Sequence, residues 1–403
     1  MSHVVHIINH LGWGGAENLV RDMTRHLRQR GWRATICALS EPVHEAGGEA
    51  HCLRARAPWD IAGYWRLRAL LCHLRPDVVH LHLLWAELWG AAAARAAGAP
   101  AVITGHCTLD ARERSPLARL CSRVAVRRTA ATIAISHAVA RYRVTRCGDG
   151  RERIQVIPNG VELAAPPTAA DRQAVRAQIG LAAHAPVIGA VARLHPVKGV
   201  GTLVAAAALV ARHYPQAGFL VVGGGPLERE LREMASALGL DGRLTFTGRV
   251  PSARARQLLA AMDIFVLPSL REGLGIAAIE AMAAALPVVA SDCGGLAEVV
   301  DDGRTGLLFP PGDAVALADK LQALLREPRL GRSLGEAGRR AACKRFSLDR
   351  MVTRVEAIYR TVMDTAPIAD ASAPRQRTAV ARGSIRSSGR KPNPASLSGP
   401  APR

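Results

Sequence analysis

Short apolar runs alternate with helix-length segments along the chain, and turn residues separate one from the next. This alternation predicts strand–helix–strand units with parallel sheets. A first series of predicted strands comprises residues 4–8, 34–39, 78–81, 101–103, 132–135 and 154–157. A second series comprises residues 187–191, 219–222, 244–246, 264–267, 288–290 and 306–309. We therefore predict an α/β protein with two doubly wound, Rossmann-like domains.

A turn-rich stretch, Ala164-Ala165-Pro166-Pro167, separates the two series and cannot continue a sheet. We expect a first domain over residues 1–165 and a second over 166–345. A C-terminal helix over 346–365 is expected to cross back to the first domain. Residues 366–403 contain seven basic residues, one acid and few apolar anchors, so we expect a disordered basic tail there.

Composition narrows the choice of partners. Among 403 residues the net charge is +20, which favours an anionic partner such as nucleic acid, a phospholipid surface or a phosphorylated substrate. Aromatic residues make up only 4% and are not interleaved with the arginines, so nucleic acid is not an expected partner.

Three features of the sequence bear on its location. Eight scattered cysteines, none paired at short spacing, are typical of reduced thiols in a cytoplasmic protein. The N-terminus lacks a basic start followed by a long apolar core, so a signal peptide is not expected. No run of about twenty apolar residues predicts a membrane span.

The loops after the predicted strands carry the candidate chemistry, because a doubly wound sheet binds its ligands at the carboxyl ends of its strands. Glu272 follows strand 264–267, and Glu280 lies eight residues later on a helix that begins near residue 276. The glycines at 273 and 275 leave backbone N–H groups free to meet an anion or a hydroxyl. Two carboxylates flanking this turn can accept hydrogen bonds from sugar hydroxyls.

Two cations follow another predicted strand of the second series. Arg193 and Lys198 lie five residues apart after strand 187–191, and together they could clamp a diphosphate. Gly14-Gly15 and Gly223-Gly224-Gly225 permit the backbone to approach a phosphate, although neither forms a dinucleotide fingerprint. Taken singly, each of these loops also fits an ordinary turn with solvated side chains.

Taken in order, six segments between residues 4 and 362 resemble the GT-B glycosyltransferases, and within them the large retaining family 4. The segments are Gly14-Gly15-Ala16-Glu17, Ile157-Pro158-Asn159-Gly160-Val161-Glu162, Arg193 with Lys198-Gly199, Val222-Gly223-Gly224-Gly225-Pro226-Leu227, Phe246-Thr247-Gly248-Arg249-Val250, and Glu272-Gly273-Leu274-Gly275 with Glu280-Ala281-Met282-Ala283. The resemblance implies a GT-B fold, in which two Rossmann-like domains face a central cleft.

The resemblance implies catalytic roles for four residues. Arg193 and Lys198 would neutralise the donor diphosphate and stabilise the leaving nucleotide diphosphate, while Glu272 would hold the transferred sugar. His106 occupies the place of the family's active-site histidine near the donor sugar. Many relatives carry an acid shortly after this histidine, whereas here three other residues precede Asp110.

The resemblance also implies a set of substrate-binding residues. Glu280 would bind the ribose hydroxyls, and the Gly14-Gly15 turn would close over the diphosphate from the first domain. The full set is Gly14, Gly15, Gly273, Leu274, Gly275, Glu280, Arg249 and Val250.

We therefore expect a retaining hexosyltransferase that moves a sugar from a nucleotide-diphosphate sugar to a saccharide or lipid-linked acceptor, in cell-surface polysaccharide or glycolipid synthesis. The resemblance implies no cofactor and no metal, because the two cations supply the charge neutralisation of a metal. Two alternatives are a GT-B nucleotide-sugar epimerase and a non-catalytic, membrane-associated binding protein. His80 and His82 could bind a metal with His106 as a third ligand, although core or cleft-lining histidines are the commoner meaning of this pattern.

A predicted helix over residues 116–129 has a basic face. Arg119, Arg123 and Arg127 recur at four-residue spacing, and the apolar flank beside them consists of Leu117, Leu120, Val124 and Ala125. Such a helix could dock on an anionic membrane surface, or it could be a solvated helix of an arginine-rich protein. The expected location is therefore the cytoplasm, with the inner face of the cell membrane as a second site.

Overall fold

The computed structural model describes residues 1–12, 14–40, 50–57, 59–105, 116–163, 165–181 and 185–365. The predicted basic tail, residues 366–403, lies outside these described residues. Within the described ranges, no helix combines the length and the apolar character needed to cross a bilayer.

Seven parallel strands form the first sheet. They are β1 (His3–Ile8), β2 (Arg33–Ala38), β3 (Ala50–Cys52), β4 (Val78–His82), β5 (Ala101–Gly105), β6 (Ala131–Ala134) and β7 (Ile154–Val156). Their order across the sheet is β3-β2-β1-β4-β5-β6-β7. The six predicted strands of the first series are all present. Strand β3 has no counterpart among them, because three half-buried residues at a sheet edge leave no apolar pattern.

Six parallel strands form the second sheet, and all six match predicted strands. They are β8 (Val187–Val191), β9 (Gly218–Val222), β10 (Leu244–Phe246), β11 (Ile264–Leu267), β12 (Val288–Ser291) and β13 (Leu307–Phe309). Their order is β10-β9-β8-β11-β12-β13. Each sheet therefore reverses its strand order once, between β1 and β4 in the first and between β8 and β11 in the second.

Helices connect successive strands of both sheets. Those of the first half are α1 (Gly15–Gln29), α2 (Ile61–Leu74), α3 (Leu84–Ala96), α4 (Pro116–Val126) and α5 (His137–Tyr142). Those that follow are α6 (Ala169–Gln178), α7 (Val200–His213), α8 (Glu228–Ala237), α9 (Ser252–Leu258), α10 (Ile276–Ala283), α11 (Leu296–Val299), α12 (Ala314–Arg326), α13 (Pro328–Arg345) and α14 (Leu348–Thr365).

Helix α14 packs against the first sheet, whereas α13 packs against α10 beside the second. Apolar residues of α14 such as Val355 and Ile358 are buried in one cluster with Val4 of β1 and Val102 of β5. The contact is anchored by Glu356 of α14, which accepts a 2.7 Å hydrogen bond from the indole N–H of Trp32 and pairs with Arg30 at 2.6 Å. The last described helix therefore completes the core of the first sheet.

Candidate active site

The two loops at the switch point of the second sheet are packed on each other. The turn Pro196–Lys198 follows β8 and lies against the loop that follows β11. The carbonyl oxygen of Val197 accepts a 2.9 Å hydrogen bond from the backbone N–H of Leu270. Gly199 has a φ of +59°, and a Cβ there would overlap the carbonyl oxygen of Pro268. Only glycine permits both this backbone conformation and this close approach.

This packing brings two predicted catalytic residues together. The Lys198 Nζ lies 2.5 Å from Oε2 of Glu272, and the hydroxyl of Ser269 donates a 3.1 Å hydrogen bond to the same oxygen. The lysine side chain is 22% exposed and the glutamate side chain 11%. Because both groups are shielded from water, their attraction is stronger than that of a fully solvated pair. The pair fixes the ammonium group at the carboxyl edge of the sheet.

The turn after Glu272 is held by backbone contacts with the next loop. The carbonyl oxygen of Glu272 accepts a 3.0 Å hydrogen bond from the N–H of Gly295, which follows β12. Gly275 precedes α10 with a φ of +94°, and a Cβ there would overlap the side chain of Leu296. Leu274 is buried. The backbone N–H groups of the turn therefore lie at the N-terminus of α10, where the helix dipole favours an anion.

Arg193 extends from the loop after β8. The neighbouring Leu194 donates a 3.1 Å hydrogen bond to the carbonyl oxygen of Gly224, so this loop runs beside the glycine loop after β9. The side chain of Arg193 is exposed, and within the described residues it makes no hydrogen bond or ion pair. A Cβ on Gly224 would stand 3.0 Å from the backbone nitrogen of Arg249, which places the predicted Arg249-Val250 segment beside the same loop.

Glu280 lies on α10 in a poorly solvated position, with its side chain 23% exposed. Burial raises the pKa of this carboxyl to about 7, and the nearby carboxylate of Asp22 also raises it. Arg256, whose Nη1 lies 3.8 Å from Oε1 of Glu280, opposes the shift without cancelling it. Glu280 therefore changes its charge close to neutral pH.

The first sheet faces these loops through the N-terminus of α1. Gly14 precedes this helix and Gly15 is its first residue, at the switch point between β1 and β4. A Cβ on Gly15 would stand 3.4 Å from Cδ1 of Ile276, the first residue of α10. The amide of Asn18 donates a 2.5 Å hydrogen bond to the hydroxyl of Ser252 on α9. The predicted glycine turn is thus next to the N-terminus of α10.

Two further contacts between the sheets have no signal in the sequence pattern. The hydroxyl of Ser136, at the start of α5, donates a 2.7 Å hydrogen bond to the carbonyl oxygen of Gly273. The carboxylate of Glu298 on α11 accepts hydrogen bonds of 2.7 Å from the backbone N–H groups of His137 and Ala138. Both contacts depend on the approach of two sheets that are distant in sequence, so a local pattern could not reveal them.

His106 lies outside the described residues, so its position relative to Lys198 and Glu272 stays a prediction.

His80 and His82 lie in the core of the first sheet with a third histidine, His6 of β1. The His6 Nδ1 lies 3.2 Å from Nε2 of His82, and the three side chains offer ligand atoms within 4.8 Å of one another. Burial lowers the pKa of His6 to about 3, which keeps it neutral. Both ring nitrogens of His80 already make 2.5 Å hydrogen bonds, to Tyr359 and Thr104. Hydrogen bonding within the core accounts for His80, whereas the buried Nε2 of His6 has no hydrogen-bond partner among the described residues.

Comparison with known proteins identifies the family. The family model for glycosyl transferases group 1 matches residues 171–341, and the model for glycosyltransferase family 4 matches residues 13–165. A 2-deoxystreptamine glucosyltransferase from Streptomyces kanamyceticus is 32% identical over 305 residues, which cover 71% of this chain and 78% of the relative. The chain belongs to the family 4 glycosyltransferases. An alpha-maltose-1-phosphate synthase from Mycolicibacterium smegmatis is 33% identical over 309 residues, covering 71% and 79% of the two chains.

The solved structure of HepE from Anabaena in complex with UDP-glucose has a TM-score of 0.80 with this chain at 24% identity, and the match covers 90% of this chain and 100% of HepE. Our chain therefore has the GT-B fold, and the predictions of its family and of its fold are confirmed. The loops described above are at the carboxyl ends of its switch-point strands, where a doubly wound sheet binds ligands.

Proposed function

We propose that this glycosyltransferase transfers a hexose, with retention of anomeric configuration, from a nucleotide-diphosphate sugar to a saccharide or lipid-linked acceptor. The observation that carries the proposal is the 2.5 Å contact between Lys198 and Glu272 at the switch point of the second sheet. It joins a cation suited to a diphosphate with a carboxylate suited to sugar hydroxyls. In such a donor, the bond that breaks joins the diphosphate to the sugar. It therefore lies between the two parts of the substrate that Lys198 and Glu272 are suited to bind.

In the proposed complex, Lys198 and the exposed Arg193 contact the donor diphosphate. The bond between the anomeric carbon and the phosphate oxygen breaks, and its electron pair leaves with the nucleoside diphosphate. An acceptor hydroxyl forms the new bond on the same face of the sugar, and its proton passes to the departing phosphate oxygen. Charge accumulates on the diphosphate as the bond breaks, so two cations in contact with it stabilise the transition state more than the ground state.

The remaining predicted residues fit the other parts of the donor. Glu280, once ionised, accepts hydrogen bonds from the ribose diol, and the backbone at Arg249 and Val250 lines the pocket for the base. The N–H groups of the turn 273–275 bind sugar hydroxyls and a phosphate oxygen. Gly14 and Gly15 cover the diphosphate from the first domain, while His106 approaches the donor sugar.

The comparisons support a nucleotide-sugar donor, since HepE has been solved with UDP-glucose and the relative from Streptomyces kanamyceticus is a glucosyltransferase. We propose cell-surface polysaccharide or glycolipid synthesis as the setting. Helix α4 supports this choice, because Leu117, Leu120 and Arg123 are exposed on it and Arg127 is exposed directly after its end. No acid occurs between residues 116 and 148, so this surface suits an anionic membrane.

A donor screen followed by one substitution tests the proposal. Nucleotide sugars are first compared by thermal shift, where a ligand at about a hundredfold its Kd adds roughly 2.7 kcal/mol of stability. Lys198→Ala should then reduce kcat with the best donor by about 100- to 1,000-fold, the usual cost of losing one preorganised charge contact. Lys344→Ala, which changes an exposed lysine of α13, is the matched control.

Near-normal turnover by Lys198→Ala would refute the assignment of this lysine. The anomeric configuration of the product, read from its NMR coupling constant, tests retention. Consumption of the donor without acceptor to give a free epimeric sugar would instead identify an epimerase.

We also propose that transfer needs no metal, because Arg193 and Lys198 supply two positive charges at the diphosphate. Transfer should continue in EDTA at the same rate. Loss of transfer in EDTA, with recovery on adding Mg²⁺ or Mn²⁺, would show that the cations alone do not suffice.

A further inference from the structure

Helix α2 is apolar on two opposite sides. Its inward side buries Leu67 and Leu71 against the first sheet. Its outward side presents Ile61 and Trp65, which lie four residues apart and therefore share one face, at 72% and 54% exposure. Trp59, just before the helix, is 82% exposed. A surface helix normally carries polar residues on its outward side, so this arrangement calls for a binding partner.

The exposed tryptophans contrast with two others among the described residues of the same domain, while a third, Trp85, is half-buried. Trp32 and Trp89 are buried in the core of the first sheet. Tryptophan has a large apolar ring with one N–H donor, and side chains of this kind are enriched where an apolar phase meets water. We define Trp59, Ile61 and Trp65 as the tryptophan face.

Arginines surround the tryptophan face. Arg54, Arg56 and Arg66 are exposed, and the guanidinium of Arg68 stacks 5.1 Å from the ring centre of Trp65. Within the described residues 50–57 and 59–74, the one acid is Asp60, and its carboxylate is hydrogen-bonded to the backbone.

Asp60 caps α2, because its carboxylate accepts hydrogen bonds from the N–H groups of Gly63 at 2.9 Å and Arg56 at 3.1 Å. The Arg66 Nη2 lies 3.4 Å from Oδ2 of Asp60, the oxygen that also accepts from the N–H of Arg56. The surface around the tryptophan face is therefore both apolar and cationic, which matches the interface of a bilayer that contains anionic lipid.

The tryptophan face also lies on a particular edge of the protein. Helices α2 and α4 both pack on α3 and cover the same face of the first sheet. In a parallel α/β unit, each helix begins at the carboxyl end of the preceding strand. Trp59 and Ile61 at the start of α2, and the exposed Leu117 and Leu120 at the start of α4, are therefore at the edge that carries the proposed active site.

We propose that the tryptophan face inserts into the interface of an anionic lipid bilayer and holds the active-site edge of the first sheet against the membrane. This inference deepens the proposed function and rests on its lipid-linked acceptor. Helix α4 and the arginines supply attraction over a distance, and Trp59 and Trp65 supply the apolar contact that remains when salt screens the charges. An acceptor anchored in lipid then reaches the cleft with its saccharide end while its lipid stays in the bilayer.

The test measures binding of the full chain to vesicles. The probes are vesicles of phosphatidylcholine with one quarter phosphatidylglycerol, and vesicles of phosphatidylcholine alone, each made with and without brominated acyl chains. The variant is Trp59→Ser with Trp65→Ser. The matched control is Leu238→Ser with Val315→Ser, which removes two exposed apolar side chains from the second domain.

We expect the tryptophan variant to bind the anionic vesicles about tenfold more weakly or worse, because each ring buries apolar area at about 25 cal/mol per Å² on insertion. The control variant should bind as the unaltered chain does. Brominated lipid should quench the fluorescence of the unaltered chain and of the control, and should quench the tryptophan variant much less. Size-exclusion chromatography without lipid should give the same elution volume for all three proteins.

Undiminished vesicle binding by the tryptophan variant would overturn the inference, and so would absence of binding by the unaltered chain. A lipid-free dimer that the tryptophan variant dissociates would assign the face to a second copy of this chain instead. Binding of nucleotide sugars is measured in parallel by thermal shift and needs no acceptor. If no nucleotide sugar binds while vesicle binding still depends on Trp59 and Trp65, the proposed function fails and the membrane contact stands.

Discussion

Replacing Glu280 by glutamine should stabilise the free protein at alkaline pH and weaken its binding of nucleoside diphosphates. Burial raises the pKa of Glu280 to about 7, compared with 4.5 for an ordinary glutamate. The folded protein therefore keeps a proton that the unfolded chain has already released, and unfolding is favoured as pH rises from 4.5 to 7. Glutamine has a similar shape without the charge, so it avoids this loss of stability.

The size of the effect follows from the two pKa values. A shift of one unit corresponds to about 1.4 kcal/mol, so the loss of stability from ionising Glu280 is about 0.8 kcal/mol at pH 5 and about 3.3 kcal/mol at pH 8. The side chain is 23% exposed, and solvent reduces these figures. We expect Glu280→Gln to raise the free energy of unfolding by about 2 kcal/mol more at pH 8 than at pH 5.

Urea unfolding at the two pH values measures this difference, with Glu336→Gln on the exposed side of α13 as the matched control. If Glu280→Gln changed the free energy of unfolding equally at pH 5 and pH 8, Glu280 would not titrate in this range. Calorimetry of nucleoside diphosphate binding gives the functional half of the prediction. Ribose hydroxyls donate to the ionised carboxylate, so binding to the unaltered protein should release a proton near pH 6 and tighten towards pH 8. Glu280→Gln should bind weakly with no such dependence.

Three other substitutions test contacts that hold the fold together, in the core of the first sheet and around the candidate site. Gly275→Ala should cost at least 1 kcal/mol by urea unfolding, because φ is +94° and a Cβ would overlap Leu296; unchanged stability would contradict the backbone geometry. Tyr359→Phe should cost about 1 to 3 kcal/mol, since it leaves a buried nitrogen of His80 without its partner, and a neutral result would rule out that hydrogen bond. Glu298→Ala should lower the Tm by a few degrees, as two backbone N–H groups of α5 lose their acceptor, and an unaltered Tm would discount the contact.

The sequence was sufficient to predict both sheets because their buried strands are short apolar runs between clear turns. It also placed Arg193, Lys198 and Glu272 of the candidate site in loops after such strands, which is where the structure has them. Strand β3 was missed because it pairs only with β2 at the edge of the sheet and is half-buried.

Local sequence patterns could not predict contacts between segments that are distant in sequence. His6 joins His80 and His82 only because β1 pairs with β4 in a register that sets His6 beside His80. The raised pKa of Glu280 depends on its burial and on Asp22 of the first domain, and the residues next to Glu280 in sequence reveal neither. The sequence likewise could not predict that one apolar side of α2 faces outward. Because the helix is apolar on its inward side too, its sequence shows no contrast between an apolar and a polar face.

Helix α14 covers one face of the first sheet, although it is the last described helix to be synthesised. During translation, Val4, Val102 and the other residues of that face emerge some 190 residues or more before the side chains that bury them. The nascent first domain therefore exposes an apolar surface until residues 348–365 leave the ribosome. For protein production, a fragment of the first domain should carry residues 348–365 by fusion or receive them as a separate peptide.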